Sequence, residues 1–264
     1  MADAAEIERY ADVTVRRSGY VAVLTLDRPA VRNAISTALA RSITQACQRL
    51  AADAQVRAVV LASSSGTAFC AGADLKERAS FSAEELLAQR PTMRAAFAGV
   101  LDLPQPTVAA VAGHALGGGL ELALSCDLIV ADDTAILGLP EVTVGLVPGG
   151  GGTALLARRV GHNRAADLIF TGRRVGAGEA ERLGLVDRVV EAGNATDAAI
   201  KLCEQIAANS PVGVRAAKGA LRSSQLTDAL DREDAAWRAV AVSADRREGI
   251  AAFNEKRQPV WPEV

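Results

Sequence analysis

The chain has 264 residues, half of them hydrophobic but only 3% aromatic, and 29 basic against 31 acidic side chains give a formal charge of −2. That length is ample for a sizeable core in one large domain, or one domain with an appendage. So even a balance gives no long-range pull toward nucleic acid or an anionic membrane, and any bound anion needs local cations.

Cys47, Cys70, Cys126 and Cys203 lie far apart and form no CxxC pair, and His114 and His162 are the only histidines. No zinc pattern results, so no metal is expected, and the cysteines read as buried thiols in a reducing compartment. The acidic start Met1-Ala-Asp-Ala-Ala-Glu lacks the basic and apolar regions of a signal peptide. No uncharged apolar stretch approaches the ~18 residues of a membrane span. These features predict a cytoplasmic globular protein.

In chain order, Val13 to Arg17 and Val21 to Leu26 are short β runs joined through Ser18-Gly19, which predicts a hairpin. From Ser36 to Asp53, Ile43, Ala46, Cys47 and Leu50 recur at helical spacing, with Ser36 placed as an N-cap. Val56 to Ala62 is apolar apart from Arg57, as expected of a strand covered on both faces. Phe81 to Leu101 predicts a helix interrupted or kinked near Pro91. Thr107 to Ala112 and Leu128 to Ala131 read as further strands, and Val186 to Val190 as the last. Between them lie the glycine loop Ala115-Leu-Gly-Gly-Gly-Leu-Glu121, which runs into an apolar helix, and the loops Leu137-Gly-Leu-Pro-Glu-Val and Pro148-Gly-Gly-Gly-Gly-Thr153. Beyond about residue 193 the pattern is mostly helical, with breaks predicted at Ser210-Pro211 and near Ser223-Ser224. The expected division is a mixed α/β body over 1–192 and a helical region over 193–264.

Three features carry chemistry. Three glycines before a helix let a backbone approach a ligand closely, and a helix start offers unpaired N–H donors with a partial positive charge. Such donors suit a developing oxyanion; the structural alternative is tight packing of helix on sheet. Neither this loop nor the later one has the Gly-Lys-Ser/Thr of a P-loop or the spacing of a dinucleotide turn. Glu121 sits among Leu120, Leu122, Ala123 and Leu124, three residues after Gly118, and Glu141 follows Pro140 in an apolar loop. Carboxylates in apolar surroundings are pushed toward neutral pKa, which suits proton transfer, although for either one read alone a solvated glutamate is the favoured reading. Ala71-Gly-Ala-Asp-Leu-Lys76 offers a second loop of amides, or a simple strand-to-helix turn capped by Asp74.

Taken in order, Phe69-Cys-Ala-Gly-Ala-Asp-Leu-Lys-Glu-Arg, Ala115-Leu-Gly-Gly-Gly-Leu-Glu-Leu-Ala, Leu139-Pro-Glu and Pro148-Gly-Gly-Gly-Gly-Thr resemble the enoyl-CoA hydratase/isomerase (crotonase) family, from the first hairpin to Phe253-Asn-Glu-Lys-Arg257. The resemblance implies an α/β fold, a spiral of ββα units closed by a C-terminal helical trimerisation region, assembled as a homotrimer or a dimer of trimers. It places the oxyanion hole on the N–H groups of Ala73 and Gly118 and the two catalytic glutamates on Glu121 and Glu141. It places contacts to the acyl-CoA on Ala34, Ala71, Asp74, Leu75, Lys76, Phe253 and Lys256, and the water site beside Gly149. The CoA is part of the substrate, and no metal or other cofactor is implied.

One fold hosts many chemistries. Relatives that shift a double bond often keep a glutamate only at the position of Glu141, so retention of both favours hydration over isomerisation. The wording of the motifs is closest to methylglutaconyl-CoA hydratases, some of which bind RNA through a lysine-rich first helix. Here Ser36 to Asp53 carries Arg41 and Arg49 but no lysine, so no nucleic acid is expected as a partner. Two departures stand out: Gly152-Thr-Ala-Leu-Leu replaces the frequent Gly-Gly-Thr-Gln-Arg, and Pro259-Val-Trp-Pro lies near the end. His114 reads as a packing or hydrogen-bonding residue. The wall of the acyl pocket is expected on the helix around Phe81 to Phe97.

Overall fold

The computed structural model describes residues 6–221 and 224–260. The strands are β1 (Glu6–Arg9), β2 (Val13–Ser18), β3 (Val21–Leu26), β4 (Ala58–Ser63), β5 (Ala68–Cys70), β6 (Thr107–Val111), β7 (His114–Leu116), β8 (Leu128–Asp132), β9 (Ile136–Gly138), β10 (Val175–Gly176) and β11 (Arg188–Val190). The helices are α1 (Thr37–Ala52), α2 (Leu75–Arg78), α3 (Ala83–Leu101), α4 (Gly118–Leu124), α5 (Gly152–Val160), α6 (His162–Thr171), α7 (Ala177–Leu183), α8 (Ala195–Ala207), α9 (Pro211–Leu221), α10 (Ser224–Ala241) and α11 (Ala244–Glu255). Short 3-10 turns cover Pro29–Val31 and Glu141–Val144.

The hairpin is β2 against β3, with Ser18 opposite Val21. A seven-stranded sheet runs β1-β2-β3-β4-β6-β8-β11 and a four-stranded sheet runs β10-β9-β7-β5. The chain steps between them: β4, β6 and β8 lie in the large sheet, and β5, β7 and β9, each next in sequence, lie in the small one. A helix or helical turn follows each pair, which is the spiral of ββα units that the resemblance implied. Both faces of the large sheet are covered. Val59 and Leu61 of β4 face the main core, while Ala58, Val60 and Ala62 face a second cluster with Ala199, Leu202 and Cys203 of α8. Hence the unbroken apolar run of β4. All four cysteines are buried and free, and burial pushes the Cys47 and Cys70 thiols up to about 12.

Ser36 caps α1, its hydroxyl accepting from the Leu39 amide at 3.1 Å. Of the interruption or kink expected near Pro91, the interruption is absent: α3 is continuous over Ala83–Leu101 with Pro91 inside. Ser82 and Glu85 form a capping box at its start, and Leu86, Met93, Ala96, Phe97 and Val100 bury the face on either side of the proline. Burial of both flanking turns outweighs the one hydrogen bond the proline removes.

Between Ala195 and Glu255 the described residues are mostly helical, with Pro211 opening α9. Ser223, at the second predicted break, and residues 261–264 lie outside the described residues. This helical region is packed on the spiral. The buried Arg90 of α3 donates to Asp234 of α10 at 2.7 Å, and Trp237 packs beside Leu86. The start of α11 lies so close to Gly145 that a Cβ there would meet the Asp245 backbone at 2.5 Å. Among the described residues, no helix is long and apolar enough to cross a membrane.

Candidate active site

Strands β5 and β7 are parallel neighbours, so the segments leaving them run side by side. After β7, Gly117 turns with φ 53° and ψ −126°, a conformation open in practice to glycine, and α4 starts at Gly118. Gly119 packs against the Cys70 carbonyl with no room for a Cβ. The Gly118 amide is therefore the first donor of a helix pressed against β5. A Cβ on Gly118 would lie 3.8 Å from the Ala73 nitrogen, so the two amides are close neighbours. The Ala73 segment is held by two bonds to Ile35, from the Ile35 amide to the Gly72 carbonyl and from the Asp74 amide to the Ile35 carbonyl, which leave the Ala73 N–H out of the ladder.

These amides open on a cavity of about 260 Å³ that Glu121 and Glu141 also line. Glu121 projects from the first turn of α4 and is 4% exposed. Its Oε1 accepts from the Gly150 amide at 2.6 Å and the Gly152 amide at 2.9 Å. Glu141 begins the 3-10 turn after β9, and its Oε2 is buried without a hydrogen-bond partner. Its Oε1 lies 3.0 Å from where a Gly117 Cβ would sit, so the tight glycine turn also makes room for this carboxylate.

Burial raises the Glu121 carboxyl to about 7; the charge of Glu233 adds to the rise, and the two glycine amides and Arg90 oppose it. Burial, and then the charge of Glu121, hold Glu141 well above the ordinary carboxylate range. Both carboxyls are thus held above the ordinary carboxylate range by burial, and Glu141 in addition by the charge of Glu121.

Of the other residues singled out in the sequence, Ala71, Leu75, Gly149 and Phe253 line the same cavity, as do Met93 and Phe97 of α3. Ala34, Asp74, Lys76 and Lys256 do not line it. The Ala34 carbonyl accepts from Arg28, and Asp74 caps α2 through the Glu77 amide while pairing with Arg28 at 3.2 Å. Lys76 is exposed, and exposed Lys256 ends α11 in the left-handed region. His114 stands in β7 with Nδ1 3.3 Å from the Thr67 carbonyl, away from the cavity.

Residues that the sequence reading passed over also converge here. Glu233 of α10, 5% exposed, accepts from the Gly151 amide at 2.5 Å, the Thr153 amide at 2.7 Å and the Thr153 hydroxyl at 2.6 Å. Arg90 stacks 4.3 Å from the centre of the Trp237 ring, and both line the cavity with Arg78. The only sequence signal for the α10 group was two acids and a tryptophan on successive turns, Glu233-Asp-Ala-Ala-Trp237.

The chain matches the family model described as enoyl-CoA hydratase/isomerase over residues 16–263. It is 40% identical over 249 residues to an enoyl-CoA isomerase/hydratase of Mycosarcoma maydis, covering 90% of this chain and 91% of that protein. To the mitochondrial methylglutaconyl-CoA hydratase of Homo sapiens it is 39% identical over 246 residues, covering 90% and 73%. The solved structure of a carnitinyl-CoA hydratase from Mycobacterium avium matches with a TM-score of 0.86 at 37% identity, over 96% of this chain and 99% of that one. With one spiral, one set of motifs and near-complete coverage in agreement, the chain belongs to the enoyl-CoA hydratase/isomerase family.

Proposed function

We propose that the protein adds water across the double bond of a 2-enoyl-CoA to give the 3-hydroxyacyl-CoA. The observation that carries this reading is the convergence of two buried carboxyls with raised pKa, Glu121 and Glu141, and the Ala73 and Gly118 segments on one cavity. Attack of water at Cβ moves charge onto the thioester oxygen. The Ala73 and Gly118 amides, one of them at a helix start, are fixed donors for that charge, and each such donor is worth about 3–4 kcal/mol in comparable sites. Glu121, with two amides on Oε1 and Arg90 nearby, is the better placed to carry negative charge. Glu141, with no donor on Oε2, is the better placed to hold the proton. Glu121 accordingly takes a proton from the water as its oxygen bonds to Cβ, and Glu141 gives its proton to Cα. The pair is then restored by passing one proton back from Glu121 to Glu141. No cofactor enters; CoA arrives with the acyl group, with Ala73, Leu75 and Phe253 along its path. The same reading takes the working protein as a homotrimer or dimer of trimers in the cytoplasm.

The test is loss of enoyl absorbance with crotonyl-CoA for wild type, Glu121→Gln and Glu141→Gln. Each variant is expected to keep its fold by circular dichroism and lose about 10²–10⁴-fold in kcat, the usual weight of a positioned acid or base. A wild type that leaves crotonyl-CoA untouched but converts a 3-enoyl-CoA to its 2-enoyl isomer would replace hydration with isomerisation. Full activity in either variant would remove that glutamate from the mechanism.

A further inference from the structure

The loop over 32–35 lies alongside 71–74 and is bonded to it by backbone. The Arg32 carbonyl accepts from the Ala71 amide at 3.0 Å, the Ile35 amide donates to the Gly72 carbonyl at 2.7 Å, and the Ile35 carbonyl accepts from the Asp74 amide at 3.0 Å. The Ala73 N–H falls between these bonds and is left to the cavity. Ile35 also reaches the other donor: it lines the cavity, and a Cβ on Gly118 would lie 3.1 Å from its Cδ1. Ile35 thus spaces the two amides, with its backbone on the Ala73 segment and its side chain on Gly118.

What holds Ile35 is the residue two before it. Arg32 and Asn33 both take left-handed backbone, at φ 53° and 54°. Residues other than glycine adopt it at a cost and keep it only where the surroundings over-determine it. Asn33 supplies that constraint, because it is 0% exposed and each of its polar groups has a partner. Its Nδ2 donates to the Ser63 Oγ at 2.7 Å and to the Phe69 carbonyl at 3.0 Å. Its Oδ1 accepts from the Arg28 amide at 2.7 Å, and its own amide donates to the Arg28 carbonyl at 2.9 Å. Its carbonyl accepts from the Cys70 Sγ at 3.0 Å. Ser63 ends β4 of the large sheet and Phe69 stands in β5 of the small one, so one side chain ties the loop to both sheets. Neither Asn33 nor Ser63 lines the cavity.

We propose that Asn33 is the positioning residue of the oxyanion hole: its side chain fastens the 32–35 loop to both sheets, and through Ile35 that loop holds the Ala73 N–H beside the Gly118 N–H. The inference rests on the reading of these two amides as donors to the thioester oxygen, and not on whether water is then added.

The test reads the polarised carbonyl directly. Dimethylaminocinnamoyl-CoA carries an electron-donating ring conjugated to its thioester, so donors on the carbonyl oxygen draw its absorbance to longer wavelength. Bound to wild type, it is expected to be red-shifted from its spectrum in buffer. Asn33→Ala and Asn33→Gly should lose most of that shift. The glycine variant takes the left-handed angle freely, so it separates loss of the side chain from loss of the backbone angle. Ser63→Ala removes one acceptor of Nδ2 away from the cavity; it should lose part of the shift, and it carries the test if circular dichroism shows the Asn33 variants unfolded. With crotonyl-CoA, Asn33→Gly should lose about 10²-fold in kcat with KM little changed, as for a group misplaced by about 1 Å that acts in the transition state. An undiminished shift in the folded variants would overturn the proposal and spare the two donors. A raised KM with unchanged kcat would overturn it too, leaving Asn33 a support for substrate binding alone. A wild type that leaves the spectrum unshifted would overturn the donors and the proposal together.

Discussion

Four successive amides share two carboxylates in strict alternation: Gly150 and Gly152 donate to Glu121, Gly151 and Thr153 to Glu233. Glu233 therefore fixes the strip of backbone that fixes Glu121, and its charge helps to raise the Glu121 carboxyl. That makes it a positioning residue with an electrical effect. In the proposed hydration Glu121 works when ionised, so the rate should climb as pH rises through about 7. Glu233→Gln removes a negative neighbour, which lowers the Glu121 value and moves the acid limb of kcat/KM to lower pH. A purely structural cap would cut the rate and leave the limb in place. At this scale Glu121, Glu141, Ala73 and Gly118 were singled out together through the resemblance rather than through their own neighbours, and all four line the cavity. Glu233 was not singled out. It stands 80 residues or more from its partners, on a helix where a glutamate reads as a solvated face.

Among the elements, α3 and α10 form the wall that the motifs do not describe. Arg90 is 3% exposed and reaches Asp234, which also receives Arg94 at 3.2 Å and Arg238 at 2.8 Å. Removing the carboxylate strands a buried guanidinium, a change that typically costs about 3–5 kcal/mol. Asp234→Ala should therefore lower the unfolding free energy obtained from a urea titration by an amount in that range, and Arg90→Met placed on top should restore part of it. If the single variant melts like wild type, the pair is not what joins the two helices. The element pattern was legible wherever period and length agreed: the β2–β3 hairpin, α1 with Ser36, and the apolar β4, β6 and β8. It failed at β5, β7 and β9, three residues each, because so short a strand has no period to read. Of the interruption or kink expected near Pro91, the interruption is absent, because what the neighbouring turns bury is a tertiary quantity.

At the scale of the molecule, the spiral is complete at β11, yet the cavity is not. Trp237 and Phe253 reach it from α10 and α11, and Phe253 remains 58% exposed while lining it. Phe170, Val212 and Leu221 are exposed by 77–79% on other helices. Apolar side chains this open, one of them at the cavity, suit contact between copies of the chain. Light scattering should accordingly give three or six times the 27.3 kDa chain mass. A monomer would leave Phe253 with no partner and detach the assembly from the resemblance that suggested it.

The alternation of amides between Glu121 and Glu233 also has a history in time. Chains emerge from the ribosome N-terminus first and fold as they emerge. The spiral, with Glu121 and the glycine strip, is in place while α10 is still being made. Until Glu233 arrives, the Gly151 and Thr153 amides face water and half of the strip is unpinned. Maturation of the site thus waits for α10 and, through Phe253, for α11. A ribosome stalled short of α10 would hold a chain with the spiral and its glycine motifs, but with half of the glycine strip still facing water.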